Sequence, residues 1–107
     1  MNMLTPQELQ GWLADASRPT PFLLDVREPW EFAIAQLPGA VNIPLASIPA
    51  RQQDVPDDRP VVCVCHHGMR SAQVAMFLER QGFEHIHNLT GGLAAWAKCV
   101  DSTMPQY

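Results

Sequence analysis

Two short apolar runs, Phe22-Leu23-Leu24 and Val61-Val62-Cys63-Val64, contain no alternating polar residue. A strand with one wet face alternates. A continuous run that is bounded by turn residues and leads into a helical pattern suits a sheet covered on both faces. Each of these runs follows a proline, Pro21 or Pro60, and each is followed within a few residues by a helix start. Sheets buried on both faces are parallel and need crossover connections. The two runs therefore point to an α/β architecture.

The rest of the chain fills in that plan. Thr5-Pro6-Gln7-Glu8 has the form of a capping box with proline at the first helical position, and Leu4 and Leu9 stand where a hydrophobic staple would place them. Leu9, Trp12, Leu13 and Ala16 then follow helical spacing. After the run ending at Asp25-Val26-Arg27, Pro29 opens a second helix. Trp30, Ala33 and Ile34 form its expected inner face, with Glu28 and Glu31 outside. Ala40 to Ile43 reads as a short strand. Leu45 to Gln53 reads as one or two helical turns broken at Pro49.

From Arg70, Val74, Phe77 and Leu78 mark a helical stripe that Gly82 ends as a left-handed cap. His85 to Leu89 is a short strand, and Thr90-Gly91-Gly92 turns into a last helix carrying Leu93, Trp96, Ala97 and Val100. Asp101 to Tyr107 has no periodicity and is expected to be a mobile tail. The fold class expected is a small open, mainly parallel β-sheet flanked by helices on both faces, in one domain of 1–107 with a core of about 5–100. In such sheets, sites form beyond the carboxyl ends of the strands, where Asp25 to Arg27 and Cys65 to Arg70 both fall.

Composition narrows the function classes. The 107 residues carry a net charge of -4, and seven basic residues are scattered without a cluster, which argues against nucleic acid as a partner. No apolar stretch approaches the roughly twenty residues that span a bilayer. No secretory leader is visible, and the expectation is a soluble, cytoplasmic protein with no membrane partner. Three cysteines, Cys63, Cys65 and Cys99, cannot pair completely and suit a reducing compartment. Cys63 and Cys65 lack the spacing of a zinc site, and no metal is expected.

The chemistry gathers at Cys65. A strand that delivers a cysteine into a tight loop at a helix start presents it to unpaired backbone amides and the positive end of the helix dipole. Gly68 lets the loop curl so that amides point inward, and Arg70 adds a permanent charge. Four residues, His66, His67, Gly68 and Met69, separate Cys65 from Arg70. Cysteine-dependent phosphatases place five residues there, and in this chain that next position is Ser71. The shorter loop suits a single sulfur atom better than a tetrahedral oxyanion.

Four segments together resemble the single-domain rhodaneses, a family of sulfurtransferases. They are Leu24-Asp25-Val26-Arg27 followed by Trp30-Glu31-Phe32; Leu37 to Pro44; Cys65 to Ser71; and Gly91 to Trp96. One departure is Ala35-Gln36, where such proteins often carry Gly-His. The resemblance implies a cysteine persulfide mechanism needing no cofactor. Cys65 would be the nucleophile, His66, His67, Gly68, Met69, Arg70 and Ser71 the loop holding its persulfide, and thiosulfate or a persulfide the donor. Cyanide or a thiol, on a small molecule or a protein, would be the acceptor. The alternatives are a non-enzymatic sulfur-carrying or regulatory module and a phosphatase or arsenate reductase on the same scaffold.

Around the loop, Asp25 is expected to anchor it through backbone amides. Arg27 and Glu31, four apart, are expected to form an ion pair fixing the first connection. Cys63 reads as a small core residue rather than a second thiol. Arg70, a cation at a helix N-terminus, is unfavourable with the dipole and is therefore assigned to the site. His66 and His67 are expected at the rim.

Overall fold

The computed structural model describes all 107 residues. In chain order they form β1 (Asn2–Leu4), α1 (Pro6–Ala14), β2 (Phe22–Asp25), α2 (Pro29–Ile34) and β3 (Val41–Asn42). Two 3-10 segments, Leu45–Ser47 and Pro49–Asp54, precede β4 (Val61–Val64), α3 (Met69–Arg80), β5 (Ile86–Leu89) and α4 (Gly92–Cys99). The strands make one sheet in the order β1-β5-β4-β2-β3, every neighbouring pair parallel. The two alternation-free runs are β2 and β4, side by side in the interior of that sheet, as burial on both faces requires.

The two-residue period of the strands divides the core. Leu23, Val62, Val64 and Leu89 point to one face and pack under α1 and α4 with Leu9, Trp12, Leu93 and Trp96. Leu24, Val61, Cys63, Cys65 and Ile86 point to the other, against Val74, Ala75 and Leu78 of α3 and Ile48 and Val55 of the 3-10 region. Helices thus cover both faces. Cys63 is in the core, where burial pushes its thiol up to about 12. Local signals place the helix ends well. Thr5 Oγ1 accepts from the Glu8 amide and Glu8 Oε1 from the Thr5 amide, and Gly82 takes a φ of +96° just past α3.

One element was not foreseen and two expectations are corrected. Strand β1 is an edge strand on β5, with Met3 opposite Asn88. Its three residues are too few for a period-two pattern. Glu28 is exposed as expected, but the rest of α2 is turned over: Glu31 is 5% exposed while Trp30 is 61% exposed and Ile34 also faces outward. A six-residue helix at the sheet edge has little apolar core to face, and a nearby guanidinium draws its carboxylate inward. Finally, the tail is docked. Met104 joins the core under α1 and α4, and Tyr107 is hydrogen-bonded to two side chains beside the Cys65 loop.

Candidate functional site

Cys65 directly follows β4 at the carboxyl edge of the sheet, with a residue exposure of 1%. The chain turns at Gly68, whose φ of +98° is open to glycine, and α3 begins at Met69. The Gly68 amide donates to Cys65 Sγ at 3.0 Å and the Ser71 hydroxyl donates to it at 3.3 Å. Two donors on one sulfur, at the N-terminal end of a twelve-residue helix, make a cradle for negative charge.

The loop is held from the far side by the start of α4. Leu93 N donates to Cys65 O at 2.9 Å and Ala94 N to His66 O at 3.0 Å. That approach depends on Gly92: a Cβ built there would lie 2.5 Å from Cys65 O and His66 O. Asn88, buried on β5, adds a third tie by donating from Nδ2 to Gly68 O at 3.1 Å. Neither Asn88 nor the α4 amides were among the candidate residues. An asparagine inside the short strand Ile86–Leu89 and a double glycine were the available signals.

Charge around the loop is paired differently from expectation. Arg27 is fully buried and binds Asp25, not the Glu31 carboxylate: Nη2 lies 2.7 Å from Asp25 Oδ2 and Nε 3.0 Å from Oδ1. Its Nη1 donates to the Glu31 carbonyl oxygen at 3.2 Å and its Nη2 to that of Ala35. Burial disfavours the guanidinium charge, but bonds to Asp25 and Tyr107 outweigh it and hold Arg27 above its ordinary value. Asp25 likewise accepts from the Arg27 amide instead of the amides of the Cys65 loop. Short-range geometry decides this pairing. With Asp25 at the strand end and Arg27 two residues on, the fork meets the carboxylate side-on.

Glu31 is left for Arg70. Arg70 Nη1 and Nη2 lie 2.7 and 3.0 Å from Glu31 Oε1 and Oε2, a bidentate pair across 39 residues of chain. The Arg70 guanidinium holds the Glu31 carboxyl down to about 2 against the opposing effect of burial, and Glu31 in turn pushes Arg70 up. The cation that is misplaced for the α3 dipole is therefore fixed by an anion from α2.

The remaining loop residues separate. His66 is half-buried, and burial pushes its imidazole down, favouring the neutral ring. His67 is exposed and meets His66 edge-on at 4.1 Å. Met69 is 79% exposed and turns its side chain to solvent. Tyr107 was not singled out by sequence, since a lone tyrosine in an aperiodic tail gives no local signal.

Comparison with known proteins agrees with this fold. A family model described as rhodanese-like domain matches residues 5–99. A sulfurtransferase of Allochromatium vinosum is 38% identical over 98 residues, covering 92% of this chain and 90% of that one. The crystal structure of a rhodanese-like domain protein from Staphylococcus aureus superposes with a TM-score of 0.82 at 33% identity, covering 90% of this chain and 91% of that one. A Rhodopseudomonas palustris structure described as a possible tyrosine phosphatase has a TM-score of 0.80. It covers all of this chain and 85% of that one, and at 22% identity it shares the fold. The chain belongs to the rhodanese-like domain family.

Proposed function

We propose that this rhodanese-family chain is a sulfurtransferase that carries sulfur as a persulfide on Cys65. The observation that carries the reading is the pair of donors on Cys65 Sγ, the Gly68 amide and the Ser71 hydroxyl. They can accept charge on Sγ as the thiolate attacks and again when it leaves the persulfide. With thiosulfate, the thiolate attacks the outer sulfur, the sulfur–sulfur bond of the donor breaks, and sulfite leaves with the electron pair. An acceptor thiolate or cyanide then attacks the terminal sulfur of the persulfide. That step breaks the bond to Sγ and returns the Cys65 thiolate, a double displacement without net oxidation.

Arg70, fixed by Glu31, supports the loop from α3, and Asp25 with Arg27 holds the first connection. His66 and His67 line the rim, and Met69 presents an apolar contact there. Free Cys63, Cys65 and Cys99 fit a reducing, cytoplasmic setting. The test is the intact mass after incubation with thiosulfate. A gain of one sulfur atom, absent in Cys65→Ser, is expected; no gain, or a gain that survives the substitution, sinks the reading.

The phosphatase alternative is disfavoured by the four-residue spacing and by the engagement of both Arg70 terminal nitrogens with Glu31. Steady hydrolysis of an aryl phosphate, lost in Cys65→Ser, would restore it. A carrier module would form the persulfide yet pass it to a protein acceptor and not to cyanide.

A further inference from the structure

Segment 101–107 brings the single tyrosine of the chain to the edge of the Cys65 loop. Tyr107 Oη accepts from Arg27 Nη1 and donates to Glu31 Oε2, both at 2.9 Å. Its ring lies 4.4 Å from that of His66, the residue after the nucleophile, and meets Trp30 edge-on at 5.7 Å. Cys65 is buried, so a reagent can reach its sulfur only if something around it moves.

The candidates for that movement are unequal. On one side the loop is tied by backbone amides of α4 and by buried Asn88, which belong to the sheet and its core. On the other side stands a partly exposed phenol on a segment outside the helices and strands. Withdrawing that phenol strands no charge. Arg27 keeps Asp25, and Glu31 keeps both nitrogens of Arg70. A buried ion that lost its counter-ion would make opening very costly, and here none does.

We propose that Tyr107 is a gate on the Cys65 loop. Latched to Arg27 and Glu31 and packed at a tilt against His66, it closes the approach to the sulfur. Donor and acceptor reach Cys65 after the phenol leaves both partners. What passes the gate rests on the sulfur-transfer reading; the gate itself is tested without it.

The test is alkylation by iodoacetamide of the full chain, read residue by residue by peptide mass. Rates are taken on the alkaline plateau of the pH profile, so that variants are compared at equal thiolate content. Tyr107→Phe removes both hydroxyl bonds and keeps the ring; Tyr107→Ala removes both. Losing bonds to charged groups is expected to speed Cys65 alkylation by about tenfold to a hundredfold. Cys63, fully buried behind the loop, is the internal reporter of general loosening and is expected to stay unlabelled. An unchanged or slower Cys65 rate in both variants overturns the gate. So does labelling of Cys63 in step with Cys65, which would make Tyr107 a structural residue.

The thiosulfate mass experiment separates the two claims. Variants that label faster at Cys65 yet, like the wild type, take up no sulfur reject sulfur transfer and support the gate. Sulfur uptake with alkylation indifferent to Tyr107 rejects the gate alone.

Discussion

At the scale of single residues, the site is governed by which charge meets which. Glu31 is the clearest case, because its carboxyl drops from an ordinary 4.5 to about 2 under the Arg70 guanidinium. A carboxyl depressed in the folded state contributes stability that is full above the unfolded value. That contribution is lost as pH falls through the folded value. The loss is therefore expected between about pH 4.5 and about 2. Arg70 is partly exposed, so water screens the pair and the contribution is roughly 1–2 kcal/mol. Denaturant unfolding of wild type and Glu31→Gln should differ by that amount at pH 6 and converge near pH 2. A difference that persists undiminished in acid would show that the loss in Glu31→Gln is one of packing and not of charge. The same side chain shows why residue-scale sequence reading stops where it does. Spacing offered Arg27 as the partner four residues back, while the partner in the fold comes from another helix 39 residues on.

At the scale of elements, two helix N-termini converge on one loop, and glycine permits it. Gly92 has a φ of +61° and no room for a Cβ beside Cys65 O and His66 O, whereas Gly82, at +96°, faces open space. Gly92→Ala is expected to cost roughly 2–4 kcal/mol, backbone strain plus a clash that displaces the loop. Gly82→Ala should cost only about 1–2 kcal/mol, the strain alone. Equal losses in urea titrations would deny the close approach of α4 to the loop. Capping is independent of the site. Thr5→Ala loses the bond from the Glu8 amide to Thr5 Oγ1 and keeps the Thr5 amide's bond to Glu8 Oε1, at a cost of about 1 kcal/mol. It should leave thiosulfate loading of Cys65 unchanged, and a loss of loading would mean that α1 supports the loop. Such elements were readable because caps, prolines and the 3.6-residue period act within one turn of the chain. The α2 face was misread because a helix of six residues is oriented by an ion pair, not by its apolar residues.

At the scale of the whole molecule, Asp25 and Arg27 join β2, the α2 connection and the tail. Arg27 bonds Asp25, the carbonyls of Glu31 and Ala35, and Tyr107 from a fully buried position. Arg27→Met leaves Asp25 buried without a counter-ion and is expected to cost about 3–5 kcal/mol, a large part of the stability of a small domain. Adding Asp25→Leu should recover part of that loss when both variants are unfolded in guanidinium chloride, since an apolar pair needs no desolvation offset. If the double variant is as unstable as the single, the carbonyl bonds of Arg27 matter more than its charge pair.

The chain by itself determined what neighbours along the backbone can decide. Two alternation-free runs demanded a covered parallel sheet. Caps and glycines set helix ends within a few residues, and the four-residue interval from Cys65 to Arg70 marked the candidate loop. The tertiary structure alone decided what depends on elements meeting at the carboxyl edge of the sheet. It paired Glu31 with Arg70, turned α2 over, brought Asn88 and the α4 amides to the loop, and docked Tyr107 against Arg27. The physical reason is range. Hydrophobic period and capping are satisfied within a turn or a strand. A buried charge or a lone aromatic takes whichever partner the packing of distant segments leaves within reach.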